Sequence, residues 1–181
     1  MNLPNIITVF RILAVPVTIW LILAGYFQAA FWIFLAAGAS DGIDGYLARA
    51  WNQRTELGAY LDAVADKALL VSIFITLALA GLIPTWLTLA VVSRDLMIVG
   101  AVILSWLLSH PVIIKPLMIS KVNTVAQIGF AAFCLASTGF GFNPGDWLRY
   151  AGYLTGALTV LSAGAYFAAW MRHMAEPRSA K

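Results

Sequence analysis

Four aspartates are concentrated in one stretch of the chain, "DGIDGYLARAWNQRTELGAYLDAVAD", residues 41–66. They are Asp41, Asp44, Asp62 and Asp66, and they make up half of the eight acidic residues of the protein. The members of the first pair are three residues apart and those of the second pair four, and either spacing places two side chains on one face of a helix. Two antiparallel helices with a short joint would therefore bring four carboxylates together.

Four like charges in a medium of low dielectric constant repel one another and become protonated unless a cation holds them. Carboxylate oxygens are hard ligands that suit Mg²⁺, Mn²⁺ or Ca²⁺, and carboxylates on two sides suit a pair of such ions. Two other interpretations of these residues stay open. The aspartates could be helix-end charges held in the polar interface of a membrane, or they could form a proton or ion pathway.

The composition places these acids in a membrane protein. The sequence is 62% hydrophobic and only 10% charged, whereas a soluble domain carries about a quarter charged residues. No polar stretch separates a second domain, so residues 1–181 are predicted to form one integral membrane domain. A single cysteine, Cys134, excludes an internal disulfide and a cysteine-rich metal site. The basic residues are scattered singly, which argues against nucleic-acid binding.

Six apolar segments have about the 20 residues that a membrane-spanning helix needs. They predict an all-α protein with six transmembrane helices, preceded by a short interfacial segment from which Arg11 reaches toward the lipid headgroups. The segments cover residues 6–25, 28–48, 58–80, 84–108, 117–138 and 147–170.

Lysine and arginine are absent from the joints near residues 25–28, 80–84 and 138–147, whereas the alternate joints and the C-terminal tail contain them. Because basic residues favour the cytosolic face, both termini and the aspartate end of the bundle are predicted to face the cytosol. Arg149 is the one discordant residue. We expect a multi-pass protein of a bacterial inner membrane.

At a rise of 1.5 Å per residue, Asp44 and Asp62 are predicted to lie roughly 6 Å below the cytosolic helix ends. Asp41 and Asp66 are predicted roughly 10–12 Å below those ends by the same rise. Each aspartate of one helix thus has a counterpart at the same depth on the other helix, which predicts an intramembrane cavity that opens to the cytosol.

Taken together, these residues follow the pattern Asp-x2-Asp-Gly-x2-Ala-Arg-x8-Gly-x3-Asp-x3-Asp. This pattern resembles the signature of the CDP-alcohol phosphotransferases at all of its positions. The matching residues are Asp41, Asp44, Gly45, Ala48, Arg49, Gly58, Asp62 and Asp66. Taken singly, the glycines are also compatible with tight helix packing, and Arg49 with a positive-inside anchor.

The resemblance implies an enzyme that transfers a substituted phosphoryl group from a CDP-linked donor to an alcohol and releases CMP. It also implies a homodimer and two divalent cations, Mg²⁺ or Mn²⁺, held by Asp41, Asp44, Asp62 and Asp66. The implied cytidine diphosphate site contains Asp41, Gly45, Ala48, Arg49 and Gly58. Asp66 would serve in addition as the general base.

Arg94 is the first candidate residue for binding the acceptor. Arg94 falls roughly 15 Å into the fourth predicted span, where a charge is costly unless it is paired or hydrated. Asp95 points about 100° away and is not expected to be an automatic partner. Lys121 could join Arg94 in a basic wall for an anionic acceptor. The alternatives are a structural ion pair for Arg94 and a topology signal for Lys121.

The run "PLMISKVNT" resembles the cardiolipin synthase branch of the family more than the phosphatidylglycerophosphate synthase branch. Ser120 and Asn123 stand where the latter branch is expected to carry a glycine and a second lysine. One lysine fewer favours an acceptor with a single negative charge. The resemblance therefore implies CDP-diacylglycerol as donor and phosphatidylglycerol as acceptor, bound by Arg94, Lys121, Asn123 and Arg11. Glycerol 3-phosphate remains the alternative acceptor.

Overall fold

A computed structural model of the protein describes residues 3–51, 56–107 and 118–175, with side chains for residues 12–40, 67–105, 107 and 118–174. The described residues form six α-helices and confirm the predicted all-α fold. The helices are α1 (Leu3–Leu23), α2 (Phe27–Trp51), α3 (Glu56–Leu79), α4 (Thr85–Leu107), α5 (Met118–Gly139) and α6 (Asp146–Ala175).

Each predicted apolar segment coincides with one helix, but the helices differ in their apolar length. α4, α5 and α6 contain stretches long and apolar enough to cross a membrane, at Thr85–Ser105, Met118–Gly139 and Asp146–Met174. The apolar parts described for the other three helices are shorter, at Ile12–Leu23, Phe27–Ser40 and Lys67–Leu79. The structure therefore supports a membrane protein, and the crossing of the bilayer by α1, α2 and α3 stays a prediction.

Two glycines end helices at the joints that the sequence marks as turns. Gly25 follows α1 with φ of 81° and Gly81 follows α3 with φ of 72°, a left-handed conformation that glycine adopts without strain. After α1, the amide of Tyr26 donates to the carbonyl of Leu21, and that of Gly25 donates to Ile22. The same pair of hydrogen bonds follows α3. These glycine caps satisfy the last carbonyls and reverse the chain.

The helices pack so that α1 contacts α2 and α3, α5 contacts α2 and α6, and α4 contacts α3 and α6. Large apolar side chains fill the interior of the bundle, among them Ile22, Phe34, Phe74, Leu87 and Phe130. Many other large apolar side chains are exposed on the outside of the helices. An outer surface of this kind suits lipid better than water.

One close backbone contact holds α5 against α2. A Cβ atom at Gly139 would lie 2.6 Å from the backbone nitrogen of Gln28, so only glycine allows this approach. Small residues serve tight helix packing in membranes in this way. The contact anchors the far end of α5, the helix that carries Ser120 and Asn123.

Candidate functional site

The four aspartates lie on the two helices that the sequence predicts. Asp41 and Asp44 are on α2, and Asp62 and Asp66 are on α3. Their side chains lie outside the described ones, as do those of the other signature residues and of Arg11 on α1. Their roles as metal ligands, nucleotide contacts and general base stay predictions.

The helix ends correct the predicted depths of these aspartates. α2 continues to Trp51 and α3 begins at Glu56, so both helices extend further toward the joint than predicted. By the helical rise, Asp44 and Asp62 lie about 10 Å from these ends, and Asp41 and Asp66 lie about 15 Å from them. The predicted distances from the helix ends were too short, but Asp44 still lies at the depth of Asp62, and Asp41 at the depth of Asp66.

Among residues whose side chains are described, no group of three or more histidine, cysteine, aspartate or glutamate residues could hold a metal ion. The aspartates of α2 and α3 lie outside that set and stay the predicted donors. Four carboxylates on consecutive helices are the donor chemistry that a pair of hard divalent cations requires, so the residue types fit the cations that the resemblance implies.

Arg94 is the centre of a buried polar cluster that joins α4, α5 and α6. Arg94 is only 6% exposed. The Nη1 atom donates a hydrogen bond to Oδ1 of Asp95 at 2.5 Å. The Nη2 atom donates to Oγ of Ser120 on α5 and to Oγ of Ser162 on α6, the latter at 3.0 Å. The Tyr166 ring lies 5.6 Å from the guanidinium carbon.

The ion pair between Arg94 and Asp95 differs from the sequence expectation. Neighbouring helix positions point about 100° apart, but the long arginine side chain bends around the helix to reach the carboxylate. An unpaired charge at a buried position is costly, so burial of both side chains favours the pair. The structural ion pair that was left open as an alternative for Arg94 is what the structure shows.

A second set of hydrogen bonds continues from this cluster along α5 and α6. Oγ1 of Thr159 shares its single proton between Oδ1 of Asn123, at 2.9 Å, and the carbonyl of Thr155, at 2.8 Å. Nε2 of Gln127 donates to the same hydroxyl at 3.3 Å. Neutral side chains therefore fill this part of the helix interface.

Two buried N–H groups in these clusters, Nε of Arg94 and Nδ2 of Asn123, have no hydrogen-bond partner among the side chains that the structure describes. More than nine in ten buried polar groups are paired in proteins, so each of these is a candidate contact for a ligand. Ser120, which binds Arg94, and Asn123 are three residues apart and thus on one face of α5. Arg94 of α4, which Ser120 binds, and Asn123 therefore lie at one face of α5.

Lys121 lies in a different environment from Arg94. Its side chain is exposed, whereas Arg94 is enclosed by three helices. Acceptor binding by Lys121 and by Arg94 together stays a prediction.

Four polar residues of α6 that belong to the site were not predicted from the sequence. Thr155, Thr159, Ser162 and Tyr166 follow one another at spacings of four, three and four, and all are buried. Polar residues at this spacing in an apolar helix lie on one face. That pattern is the signal that could have found them.

These features define an all-helical protein with membrane character, an acidic stretch on α2 and α3, and a buried polar cluster between α4, α5 and α6. The chain matches the model of the CDP-alcohol phosphatidyltransferase family over residues 1–167. It belongs to that family of enzymes, which confirms the resemblance that the signature indicates.

Curated relatives carry two different activities in their names. The chain is 35% identical over 92% of its length to the cardiolipin synthase (CMP-forming) of Rattus norvegicus, of which it covers 60%. It is 33% identical over 93% of its length to the CDP-diacylglycerol–glycerol-3-phosphate 3-phosphatidyltransferase of Escherichia coli K12, of which it covers 94%. A chloroplastic enzyme of rice with that second activity in its name is also 33% identical.

Proposed function

We propose that the protein transfers the phosphatidyl group of CDP-diacylglycerol to phosphatidylglycerol, forming cardiolipin and releasing CMP. Membership of the CDP-alcohol phosphatidyltransferase family supports the reaction class. The signature residues on α2 and α3 support the donor, because a nucleotide diphosphate requires cations and close backbone approach.

The aspartates would hold the cations and position the donor. Asp41, Asp44, Asp62 and Asp66 would bind two divalent ions, Mg²⁺ or Mn²⁺, which when bound neutralise the charge of the donor diphosphate. The other signature residues would contact the nucleotide: Gly45, Ala48 and Gly58 leave room for it, and Arg49 would pair with a phosphate. Asp41 would also border this nucleotide site.

Asp66 would act on the acceptor. Its carboxylate takes the proton from the free glycerol hydroxyl of phosphatidylglycerol as that oxygen attacks the β-phosphorus of the donor. The new bond joins the hydroxyl oxygen to this phosphorus. The bond from the phosphorus to the CMP oxygen breaks, and its electron pair leaves with CMP.

The observation that carries the choice of acceptor is the balance of charge around Arg94. Ser120 and Asn123 occupy the two positions at which a glycerol 3-phosphate enzyme is expected to differ, and both side chains take part in hydrogen bonds between helices. Arg94 is the one buried cation among the described residues, and Asp95 already offsets its charge. A phosphodiester with one negative charge suits this site better than a phosphate monoester with nearly two.

The unpartnered Nε of Arg94 and Nδ2 of Asn123 would donate hydrogen bonds to the acceptor phosphodiester. Lys121, exposed on α5, and Arg11, on α1, would contact the headgroup at the rim of the predicted cavity that opens to the cytosol. Both lipids would enter sideways between helices, so that their acyl chains remain in the bilayer.

Glycerol 3-phosphate is the second candidate acceptor. It is favoured by the Escherichia coli relative, because the chain covers 94% of that protein but only 60% of the rat cardiolipin synthase. The chain thus spans about three fifths of the length of the mammalian relatives that it matches.

The deciding experiment offers purified protein CDP-diacylglycerol, Mn²⁺ or Mg²⁺, and one acceptor at a time. We expect CMP release and cardiolipin with phosphatidylglycerol, and little product with glycerol 3-phosphate. CMP release with glycerol 3-phosphate alone would reverse the choice of acceptor. Absence of CMP release with either acceptor, combined with ion flux in vesicles, would favour the transporter interpretation of the aspartates.

We propose the corresponding setting as well: six membrane crossings in a bacterial inner membrane, both termini in the cytosol, and a homodimer. The alternation of basic joints along the sequence supports the orientation. Tags at the two termini would test this orientation. A protease should cleave both tags when it is added to the cytosolic side of the membrane and neither when it is added to the other side.

A further inference from the structure

A cavity of about 370 Å³ lies at the end of the bundle opposite the α2–α3 joint. It is formed by the segment that leads into α4, the outer half of α5 and the beginning of α6. Its volume falls in the range of about 300–1,000 Å³ that is common for small-molecule sites. Leu82, Phe130 and Leu148 give it an apolar lining.

One wall of the cavity is a stack of two rings and a guanidinium group. The rings of Trp86 and Tyr153 are stacked, with centroids 5.9 Å apart and an angle of 18° between their planes. The guanidinium carbon of Arg149 lies 5.6 Å from the centroid of the Tyr153 ring. A cation over an aromatic face is attracted to it, so the stack holds the positive charge beside the apolar lining.

Arg149 differs from the buried arginine of the same bundle because it forms no salt bridge with a described side chain; Asp146, one turn earlier on α6, attracts its charge only from a longer distance. Among residues whose side chains are described, the salt bridge between Arg94 and Asp95 is the only one within 4.0 Å. Arg149 is exposed. It lies at the cavity end of the bundle, whereas the basic residues of the joints lie at the end that contains the α2–α3 joint. An anion-binding role accounts for a basic residue at this end, where topology alone does not favour one.

We propose that this cavity binds an anionic phospholipid from the leaflet at this face of the membrane. The lipid phosphate pairs with the guanidinium of Arg149, and the glycerol and first methylene groups contact Leu82, Leu148 and Phe130. The combination of one cation with an apolar lining complements a lipid headgroup that carries one negative charge above two hydrocarbon chains. Arginine is well suited to this contact because its planar donors match two phosphate oxygens.

The site is separate from the proposed reaction, because the aspartates lie toward the other ends of α2 and α3. Its ligand is a bound lipid that is not consumed. The binding measurement below needs neither donor nor cation, so its failure and a failure of the proposed function are distinguishable.

The test uses full-length protein in a neutral detergent, titrated with dioleoyl phosphatidylserine and followed by native mass spectrometry. Phosphatidylserine is anionic but is neither substrate nor product of the proposed reaction, and dioleoyl phosphatidylcholine is the zwitterionic comparison. Arg149→Gln should weaken the tightest phosphatidylserine site about tenfold, which corresponds to about 1.4 kcal/mol. Arg149→Lys should restore part of the affinity, since it keeps the charge but not the planar donors.

The matched control is Arg172→Gln, which removes an exposed arginine from the last turn at the opposite end of α6. It should leave the tightest site unchanged. Equal losses in the Arg149→Gln and Arg172→Gln variants would show general charge attraction and overturn the proposal. Equal binding of the two lipids by the unmodified protein would also overturn it. Tight binding of inorganic phosphate that depends on Arg149, without such dependence for the lipid, would assign the site to free phosphate instead.

Discussion

Two regions of the molecule differ in how their charges are balanced: the acidic stretch on α2 and α3, and the polar cluster between α4, α5 and α6. Arg94 has its counter-ion one residue away and donates to hydroxyl groups from two other helices. The four aspartates all carry the same sign, and they stay charged together only where cations offset their repulsion. Arg94 therefore has its counter-ion within the chain, whereas the predicted role of the aspartates depends on added cations.

Replacement of Asp66 by asparagine should have the largest effect on activity. Asparagine keeps the shape of the side chain but cannot take the acceptor proton, and general base catalysis contributes about 10²–10⁴-fold. We expect CMP release to fall about 10³-fold or more, while binding of CDP-diacylglycerol is partly retained. Turnover is measured as CMP release, and donor binding by isothermal titration in the presence of Mn²⁺.

Asp146→Asn is the matched control, because Asp146 is exposed in the first turn of α6, far along the bundle from the aspartate stretch. It should retain normal turnover. Unchanged CMP release in the Asp66→Asn variant would remove this residue from the mechanism and would favour an ion pathway for the aspartates.

Replacement of Asp95 by asparagine should have the largest effect on stability. It leaves the charge of Arg94 buried without its counter-ion, and loss of one partner of a buried pair costs about 3–5 kcal/mol. We expect the apparent melting temperature in detergent to fall by about 10 °C, since each 1 kcal/mol shifts the melting temperature of a chain of this length by about 2–4 °C.

The double variant Arg94→Met/Asp95→Leu sharpens this prediction, because it removes both charges and leaves none unpaired. It should be more stable than Asp95→Asn alone. If instead the double variant is the less stable, the contacts of Arg94 with Ser120, Ser162 and Tyr166 contribute more than its unpaired charge costs.

Replacement of Asn123 by lysine should change the choice of acceptor. The substitution adds the second cation that distinguishes the two proposed acceptors, on the α5 face that also carries Ser120. We expect the ratio of CMP release with glycerol 3-phosphate to that with phosphatidylglycerol to rise about tenfold, or about 1.4 kcal/mol. Val122→Lys adds the same charge at an exposed position of α5 and should leave the ratio unchanged; an equal rise in both variants would contradict a specific role for Asn123.

The helices could be predicted from the sequence, whereas most contacts of the polar cluster could not. The apolar segments are long, and Gly25 and Gly81 mark the turns between them, so helix positions follow from local patterns. The extension of α2 to Trp51 was missed because the predicted end followed the apolar run, which stops before Arg49, whereas the helix continues beyond it. Helical periodicity gives the direction in which a side chain leaves the backbone, but not how far Arg94 bends to reach Asp95.

The partners of Arg94 and Asn123 on α6 were missed for another reason. Ser162 lies far from Ser120 along the chain, and only the packing of three helices brings both hydroxyl groups to one guanidinium. Local periodicity contains no information about which helices become neighbours. The spacing of polar residues on α6 shows that this helix has a polar face, but not what the face contacts.

Replacement of Thr159 by valine should give the smallest effect and locate the boundary of the cluster. Valine keeps the branched shape but removes the hydroxyl that donates to Asn123 and accepts from Gln127. Hydrogen bonds between membrane helices contribute about 0.6 kcal/mol on average and up to about 1.7 kcal/mol, so we expect a loss in this range, measured by steric trapping. Thr138→Val is the control, because its hydroxyl donates only within α5, to the carbonyl of Cys134.

If Thr159→Val also raises the KM for phosphatidylglycerol while Thr138→Val does not, the hydroxyl of Thr159 positions Asn123 for the acceptor as well as joining two helices. An unchanged KM would confine Thr159 to helix packing and would restrict the acceptor contacts to the part of the cluster nearer Arg94.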